Sequence, residues 1–559
     1  MYKISNTILV TCALPYANGP IHLGHLLEHI QADVWVRYHR MRGTNVIFIC
    51  ADDAHGTAIM LKSKELKISP EELINQVFEK HKQDLYDFNI SYDEYHTTHS
   101  KENKILTEKI YFLLQKKGYI KKKIISQFYD NKYAIFLSDR FVKGKCPRCI
   151  ANHQYGDNCE ICGSTYLQTE LIEPYSILSG TKPEIKNTEH LFFDLSSFTS
   201  MLKTWIHSGV LQKQIINKLY DWLNIGLHDW DITRDSPYFG FQIPNEINKY
   251  FYVWLDAPIG YMATFKKLCT QTRNINFDDI WNKNSTHKLI HFIGKDISYF
   301  HCLFWPAILE AIDYRKPSNI FVHGHLTING SKMSKTRGTF ITARTYLNHL
   351  DSDYLRYYFM TKLSSNINDI DFNMEDFMTR VNNDLINKII NLAARTAMFI
   401  NTYFTDTLSS NLSNTDIYNI FILASKEIEE KFLQREYNKI IHQIISLVDI
   451  ANSYINNQSP WILIKNKNNK DIVHAICTTG LNLFKILMTY LKPILPNLAK
   501  RVECFLNITL KWNEIHIPLL KHKINKFQIL LKRVEQHQIL SIKTASQKNI
   551  TKINNNNTF

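Results

Sequence analysis

The first fifty residues constrain the fold more than any other part of the chain. Ile8 to Leu14 is an apolar, β-prone run, Pro15 to Pro20 is a turn-rich loop, and a helical period runs from His22 to Arg42, closed by Gly43. A second apolar run, Val46 to Ala51, ends at Asp52 and Asp53. Strand, helix and strand at this spacing open a doubly wound parallel sheet, which binds ligands at the carboxyl ends of its strands. The loop at 15–20 and the two aspartates fall at those ends.

A chain of 559 residues is too long for one hydrophobic core. The expected fold class is an α/β doubly wound (Rossmann-like) parallel sheet, split by an insertion and followed by an all-α helix bundle. The first half of the sheet domain spans 1–118. An insertion of short, turn-broken segments covers 119–250, with a cysteine knuckle at 146–162. The second half of the sheet domain spans 251–325, and 326–387 carries a hairpin turn at Asn329-Gly330 followed by a basic loop. Helical period dominates 388–540, and 541–559 reads as a disordered tail ending in the Asn554–Asn557 run. Met1 to Val10 is too short and too soon interrupted to be a signal peptide or anchor, and no other apolar stretch reads as long enough to cross a bilayer. The expected location is therefore the cytoplasm, with no membrane partner.

Net charge is +14, from 66 basic and 52 acidic residues, which suits a polyanionic partner. Many of the lysines accompany Asn and Ile, residues that AT-rich codons favour, so charge alone decides nothing. Of the ten cysteines, Cys12, Cys50, Cys269, Cys302, Cys477 and Cys504 are scattered in apolar surroundings and read as buried thiols. The other four form two Cys-x₂-Cys pairs, Cys146/Cys149 and Cys159/Cys162. Two such pairs can meet in one tetrahedral thiolate site, and a closed four-thiolate site points to one structural Zn²⁺.

His22-Leu-Gly-His25 opens the first helix directly after the first strand. A helix amino terminus offers unpaired N–H groups and a positive dipole end to phosphate. Gly24 permits close backbone approach, and His22 and His25 share one helix face. Gly19 and Gly24 imitate a phosphate-loop spacing, but His25 stands where that loop requires lysine. Farther on, Lys332-Met-Ser-Lys335-Thr-Arg-Gly338 follows the Asn-Gly turn. Two lysines on a loop can follow the β- and γ-phosphates of ATP and stabilise charge as pyrophosphate leaves. Alone, such a basic run would read as a solvated loop.

Together the two segments, about 310 residues apart, resemble the paired signatures of class I aminoacyl-tRNA synthetases, with Leu23 in place of Ile and Thr336 in place of the final Ser. Longer stretches are similar to the bacterial methionyl-tRNA synthetase family: Thr11-Cys-Ala-Leu-Pro-Tyr-Ala-Asn-Gly19, Phe48-Ile-Cys-Ala-Asp-Asp-Ala-His-Gly56, Trp254-Leu-Asp-Ala-Pro-Ile-Gly-Tyr261 and Phe292-Ile-Gly-Lys-Asp296. The resemblance runs from Ile8 to the end of the helical region.

It implies activation of methionine with Mg²⁺-bound ATP, then transfer to the 3′-terminal ribose of initiator and elongator methionine tRNAs. His22, Gly24, His25, Gly294, Asp296, Lys332, Ser334 and Lys335 would hold ATP, with His22, His25, Lys332 and Lys335 stabilising charge in the reaction. Ala13, Leu14, Tyr16, Trp254, Ala257, Pro258, Tyr261, Ile297 and His301 would form the methionine side-chain pocket, and Asp53 would take the amino group. By spacing alone, Trp254, Ala257 or Pro258, and Tyr261 share one face of a short helix that Asp256 can cap, with Pro258 in its first turn. Ile297 and His301 are an i, i+4 pair on another helix. Without the resemblance these residues read as core rather than as a pocket. The resemblance also makes Asn391, Arg395 and Trp461 readers of the anticodon: an amide and a guanidinium for base edges, an indole for stacking. The four cysteines correspond to the family's zinc-bearing insertion. The chain has no barrel after its helical region, so a monomer is expected. The contrasting reading is an inactive tRNA-binding or regulatory paralogue.

Overall fold

The computed structural model describes residues 7–138, 141–156, 159, 161–162, 164, 166–272, 275–333 and 339–555. Ser334 and Lys335 lie outside the described residues, as does the chain from Asn556 onward, and of Lys332 only the backbone is described.

Five strands form one parallel sheet: β1 (Ile8–Cys12), β2 (Val46–Asp52), β3 (Glu94–Thr97), β4 (Lys288–Gly294) and β5 (Asn319–His323), in the spatial order β5-β4-β1-β2-β3. Both faces are covered, which is why β1 and β2 are apolar throughout. Val10, Cys12, Phe48, Cys50 and Phe292 face α1 (Leu23–Met41), while Leu9, Ile47, Ile49, Leu289 and Ile293 face α3 (Val253–Gln271). In the chain between β2 and β3, α2 (Pro70–Asp87) starts from a Ser69 cap.

The edge strand β5 is closed by the insertion. Ile320 N–H donates to the Val210 carbonyl at 3.0 Å. The Gln212 side chain then takes the place of a backbone unit: its Oε1 accepts from Val322 N–H at 3.2 Å and its Nε2 donates to the Val322 carbonyl at 2.7 Å. Within the insertion, Ile120–Asp130 and Glu184–Phe193 form a long antiparallel ribbon that carries a small three-stranded sheet with Val142–Lys145 at its centre.

Beyond the sheet, α4 (Ser352–Lys362) leads to a continuous helical rod from Met374 through a π-helical stretch, Val381–Ile390, into α5 (Asn391–Tyr403). The division expected after 387 falls inside this rod. The bundle continues through α6 (Thr415–Gln434), α7 (Tyr437–Gln458), α8 (Lys470–Leu491) and α9 (Pro496–Leu506). It shares one hydrophobic core with the α1 face of the sheet. At the junction, fully buried Arg356 of α4 donates to Asp33 of α1 at 2.6 Å, and to the Ile494 and Phe88 carbonyls at 2.7 and 3.3 Å.

Four expectations need correction. Of the six scattered cysteines expected to be buried, Cys504 of α9 is exposed and Cys269 half-buried. Lys467–Leu491 is a stretch long and apolar enough to cross a bilayer, contrary to the reading that none exists; it is a core helix, hydrophobic all round because α5, α6 and α7 enclose it. Residues 507–535, expected to be helical, are largely irregular. Their apolar residues, such as Ile524, Leu530 and Val534, pack onto the bundle without helical period, and side chains bind their carbonyls instead: Tyr354 holds Lys532 and Asn382 holds Val534. The tail expected to be disordered from 541 is helical as α10 (Gln536–Asn555), because Ile539 and Ile542 give it a face buried in the same core.

Candidate active site and metal centre

The chain passes from β1 outward to β2 and β3, then returns to the other side of β1 at β4, so a topological switch point lies between β1 and β4. A cleft of about 440 Å³ opens there. Ala13, Leu14 and Tyr16 follow β1, His22, Gly24 and His25 begin α1, and Gly294, Asp296 and Ile297 follow β4; all line the cleft.

The two histidines form a reciprocal cap. His22 Nδ1 accepts from the N–H groups of Gly24 (3.1 Å) and His25 (3.4 Å), and His25 Nδ1 accepts from His22 N–H at 3.4 Å. The rings stack with centroids 3.7 Å apart. With both Nδ1 atoms accepting, each neutral imidazole carries its proton on Nε2, a donor suited to phosphate oxygens. Burial, followed by the neighbouring His22, pushes the His25 pKa far down, which keeps the ring neutral.

Gly24 has no room for a side chain: a Cβ there would lie 2.6 Å from Met333 Cε and 2.9 Å from His22 Cε1. Met333 thereby brings the second signature onto the first. On the far side of that loop, Phe340 meets the His22 ring edge-on at 5.0 Å, and Leu23 N–H donates to the Ile341 carbonyl at 3.1 Å. The hairpin before the loop is as expected. Asn329 and Gly330 take φ of 48° and 74°, and Lys332 pairs with Thr327.

Two cleft residues escaped the sequence reading. Glu28, only 6% exposed, accepts from Ala13 N–H at 2.6 Å and pairs with His323 Nε2 at 3.2 Å. His323 Nδ1 donates to the Gly324 carbonyl at 2.7 Å. Burial raises the Glu28 pKa; burial opposes charge on His323 too, but the bond to Glu28 more than offsets it and raises that pKa as well. A carboxylate three residues after His25, within an apolar helical run, was the available signal.

Asp53 adjoins the cleft through its backbone, with N–H bonded to the Pro15 carbonyl at 2.9 Å. Among the described residues its Oδ1 is buried without a hydrogen-bond partner, and burial plus the charge of Asp256 push its pKa well up. Such an oxygen costs about 1–3 kcal/mol, a cost that a cationic ligand removes.

Trp254, Ala257, Pro258, Tyr261 and His301 stand beside the cleft rather than lining it. Trp254 is 43% exposed and packs near the rings of Tyr252, Trp230 and Phe300. Tyr261 is 2% exposed and shares a hydrogen bond with His301 Nε2 at 2.8 Å. His301 sits in a π-helical turn, Phe300–Phe304, with Nδ1 3.2 Å from the Ile297 carbonyl. Burial pushes its pKa down to about 4, so the ring is neutral and Tyr261 O–H is the donor. The expected cap is corrected: α3 begins at Val253 with no side-chain cap, and Pro258 lies inside it. Asp256 is unavailable as a cap because its carboxylate is buried against His55 Nδ1.

In the bundle, Asn391 and Arg395 occupy the start of α5, and the Arg395 guanidinium lies over the Trp461 ring at 4.5 Å. A cation layered on an indole leaves an arrangement onto which a further flat ring can stack.

The Sγ atoms of Cys146, Cys149, Cys159 and Cys162 all lie within 4.8 Å of one another. Cys146 and Cys162 are 3.8 Å apart, Cys149 and Cys159 3.5 Å. A tetrahedron with metal–sulfur bonds of about 2.3 Å has edges of about 3.8 Å, so the donors fit one tetrahedral ion. Backbone N–H groups of Arg148, Cys149 and Cys162 point at the sulfurs at 3.3–3.4 Å, which favours thiolates.

A family model described as class I tRNA synthetases (M) matches residues 8–397. Among solved structures, Mycobacterium tuberculosis methionyl-tRNA synthetase in complex with methionyl-adenylate is similar with a TM-score of 0.77 at 21% identity, covering 94% of this chain and 99% of that one. A second structure of that enzyme bound by methionyl-adenylate gives 0.78 at 20%, covering 94% and 100%. Its apo form gives 0.71 at 20%, covering 96% and 99%. At such identity the likeness concerns the fold. The family match, however, extends over most of the chain and takes in the switch-point cleft, the four-cysteine knuckle and both signature segments: the chain belongs to the class I tRNA synthetase (M) family.

Proposed function

We propose that the chain activates L-methionine with ATP to methionyl adenylate and transfers methionine to the 3′-terminal ribose of its tRNA. The observation that carries this reading is the set of phosphate-type donors on His22 and His25 in the switch-point cleft, with the buried Asp53 oxygen, partnerless among the described residues, beside that cleft. The fold shared with methionyl-adenylate-bound structures supports it. In the first step the methionine carboxylate attacks the α-phosphorus in line, and pyrophosphate leaves. His22 and His25 donate to phosphate oxygens, Lys332, Ser334 and Lys335 follow the departing phosphates, and Gly294 and Asp296 take the ribose side. Asp53 holds the ammonium group. Ala13, Leu14, Tyr16, Ile297, Trp254, Ala257, Pro258, Tyr261 and His301 enclose the thioether. Positioning and charge stabilisation do the work; no protein nucleophile is needed. In the second step the tRNA ribose hydroxyl attacks the adenylate carbonyl, the acyl–phosphate bond breaks and AMP leaves with the hydroxyl proton, while Asn391, Arg395 and Trp461 read the anticodon. One Zn²⁺ on the four cysteines pins the insertion, and the enzyme acts as a cytoplasmic monomer.

Methionine-dependent ATP–pyrophosphate exchange is the test, with isoleucine, valine, leucine and cysteine in parallel. Strong exchange with methionine alone is expected, and none with any amino acid defeats the reading. Trp461→Ala is expected to lower aminoacylation about 5- to 150-fold, from the loss of about 1–3 kcal/mol of base stacking, while exchange stays within about twofold. Equal loss in both assays would mean that Trp461 serves the fold and not the tRNA.

A further inference from the structure

His81 of α2 is fully buried and takes no part in the chemistry just described. Its Nε2 lies 2.6 Å from the Gly19 carbonyl oxygen and its Nδ1 lies 2.8 Å from Asp52 Oδ1. A carbonyl oxygen can only accept, so Nε2 carries a hydrogen. Asp52 Oδ1 also accepts from the Tyr95 hydroxyl. Both bonds of the ring are satisfied together only when the His81–Asp52 pair holds a second proton between Nδ1 and Oδ1. Without that proton, one ring lone pair must face an oxygen.

The Gly19 carbonyl belongs to the loop that delivers α1 to the cleft. That loop is tied at its start, where Ala17 N–H donates to the Asp53 carbonyl at 2.8 Å. It is tied again at its end, where Ala343 N–H donates to the Ile21 carbonyl at 2.8 Å. Between these points Asn18 and Pro20 are exposed, and His81 grips the carbonyl that separates them. His22, whose ring caps the helix, follows three residues later.

We propose that His81 is a positioning residue for ATP: anchored on Asp52, it fixes the loop at Gly19 and thereby sets His22 and His25 against the phosphates. The claim rests on the function proposed above. The groups facing the ring are Asp52 of β2, Tyr95 of β3, His25 and His29 of α1, and Asp84 of α2 itself, which Arg344 binds at 2.6 Å. Burial opposes charge on His81, but the hydrogen bond to and charge of Asp52 outweigh it, and the pKa is raised. A raised histidine pKa means that the clamp is complete below the unfolded value and is lost as pH climbs through the folded one.

Two substitutions separate positioning from packing. In His81→Gln the amide nitrogen reaches the place of ring Nε2 and can still donate to Gly19, without titrating. In His81→Asn it reaches only the place of Nδ1. His81→Asn is expected to raise KM for ATP in methionine-dependent exchange about tenfold or more, with kcat within about threefold. His81→Gln is expected to keep KM for ATP within about threefold of the unsubstituted protein and to lose the fall of kcat/KM for ATP at alkaline pH. Equal KM values in two variants that unfold at the same temperature would overturn the proposal, and so would an alkaline fall that persists in His81→Gln. Calorimetric titration with Mg²⁺-ATP alone reads the same difference without any amino acid. A protein without methionine exchange would defeat the proposed function, while the ATP affinities of the two variants would still decide the role of His81. Should His81→Asn fail to fold, the ATP affinity of the unsubstituted protein against pH decides instead: a decline with rising pH upholds the clamp and a flat profile overturns it.

Discussion

All four thiols of the knuckle come from 146–162, whereas the walls of the cleft come from segments scattered between Ala13 and Phe340. The knuckle needs one short stretch to fold, and its backbone N–H groups already aim at the sulfurs. The cleft exists only when β1, α1, β4, β5 and the basic loop have all come together, with Met333 seated on Gly24. A site local in sequence should tolerate damage elsewhere, and a site assembled from distant pieces should not.

The largest test of that contrast is Arg356→Met. It removes one of the two guanidinium groups on buried Asp33, leaving Arg37 at 2.7 Å, and strips the Ile494 and Phe88 carbonyls of their donor, a loss expected to cost about 3 kcal/mol in chemical denaturation. Metal analysis of the folded variant should still find one zinc per chain; loss of metal would mean that the knuckle depends on the whole fold. Next in size is Gly24→Ala, whose methyl group must displace Met333 or His22. Exchange activity should fall about 100-fold through misplacement of the helix start, with zinc unchanged. Activity close to normal would mean that the two signatures need not touch. The smallest effect is expected from Cys159→Ser. Zinc should be lost, yet methionine-dependent exchange should stay within about threefold, because the thiol cluster and the cleft share no residues. A loss of exchange comparable to that of Gly24→Ala would erase the distinction.

The same contrast explains which parts of the molecule are legible in its sequence. Helix α1 with His22 at its opening, the Asn329-Gly330 turn and the knuckle are local, and the residue pattern places each of them. Asp33–Arg356, Glu28–His323 and His81–Gly19 join residues 323, 295 and 62 positions apart, and no periodicity reports such pairings. The start of α3 is not legible because a proline such as Pro258 usually marks a helix's first turn. Here the helix begins before it, and Asp256 is committed to His55. In residues 507–535 the apolar spacing suggests a helix, but the segment is held instead by side chains that reach its carbonyls. The roles assigned to Ser334 and Lys335 rest on the signature alone, since both lie outside the described residues.

The amide of Gln212, lying along β5 as one more backbone unit, bears on how the chain is made. An open strand edge invites pairing with another molecule for as long as it stays bare. β5 is the last strand of the sheet to leave the ribosome, and Gln212 precedes Val322 by 110 residues. Its neighbour β4 on one side and its cover on the other are therefore synthesised before the strand itself. During translation the most vulnerable edge of the sheet emerges beside a lid that is already waiting.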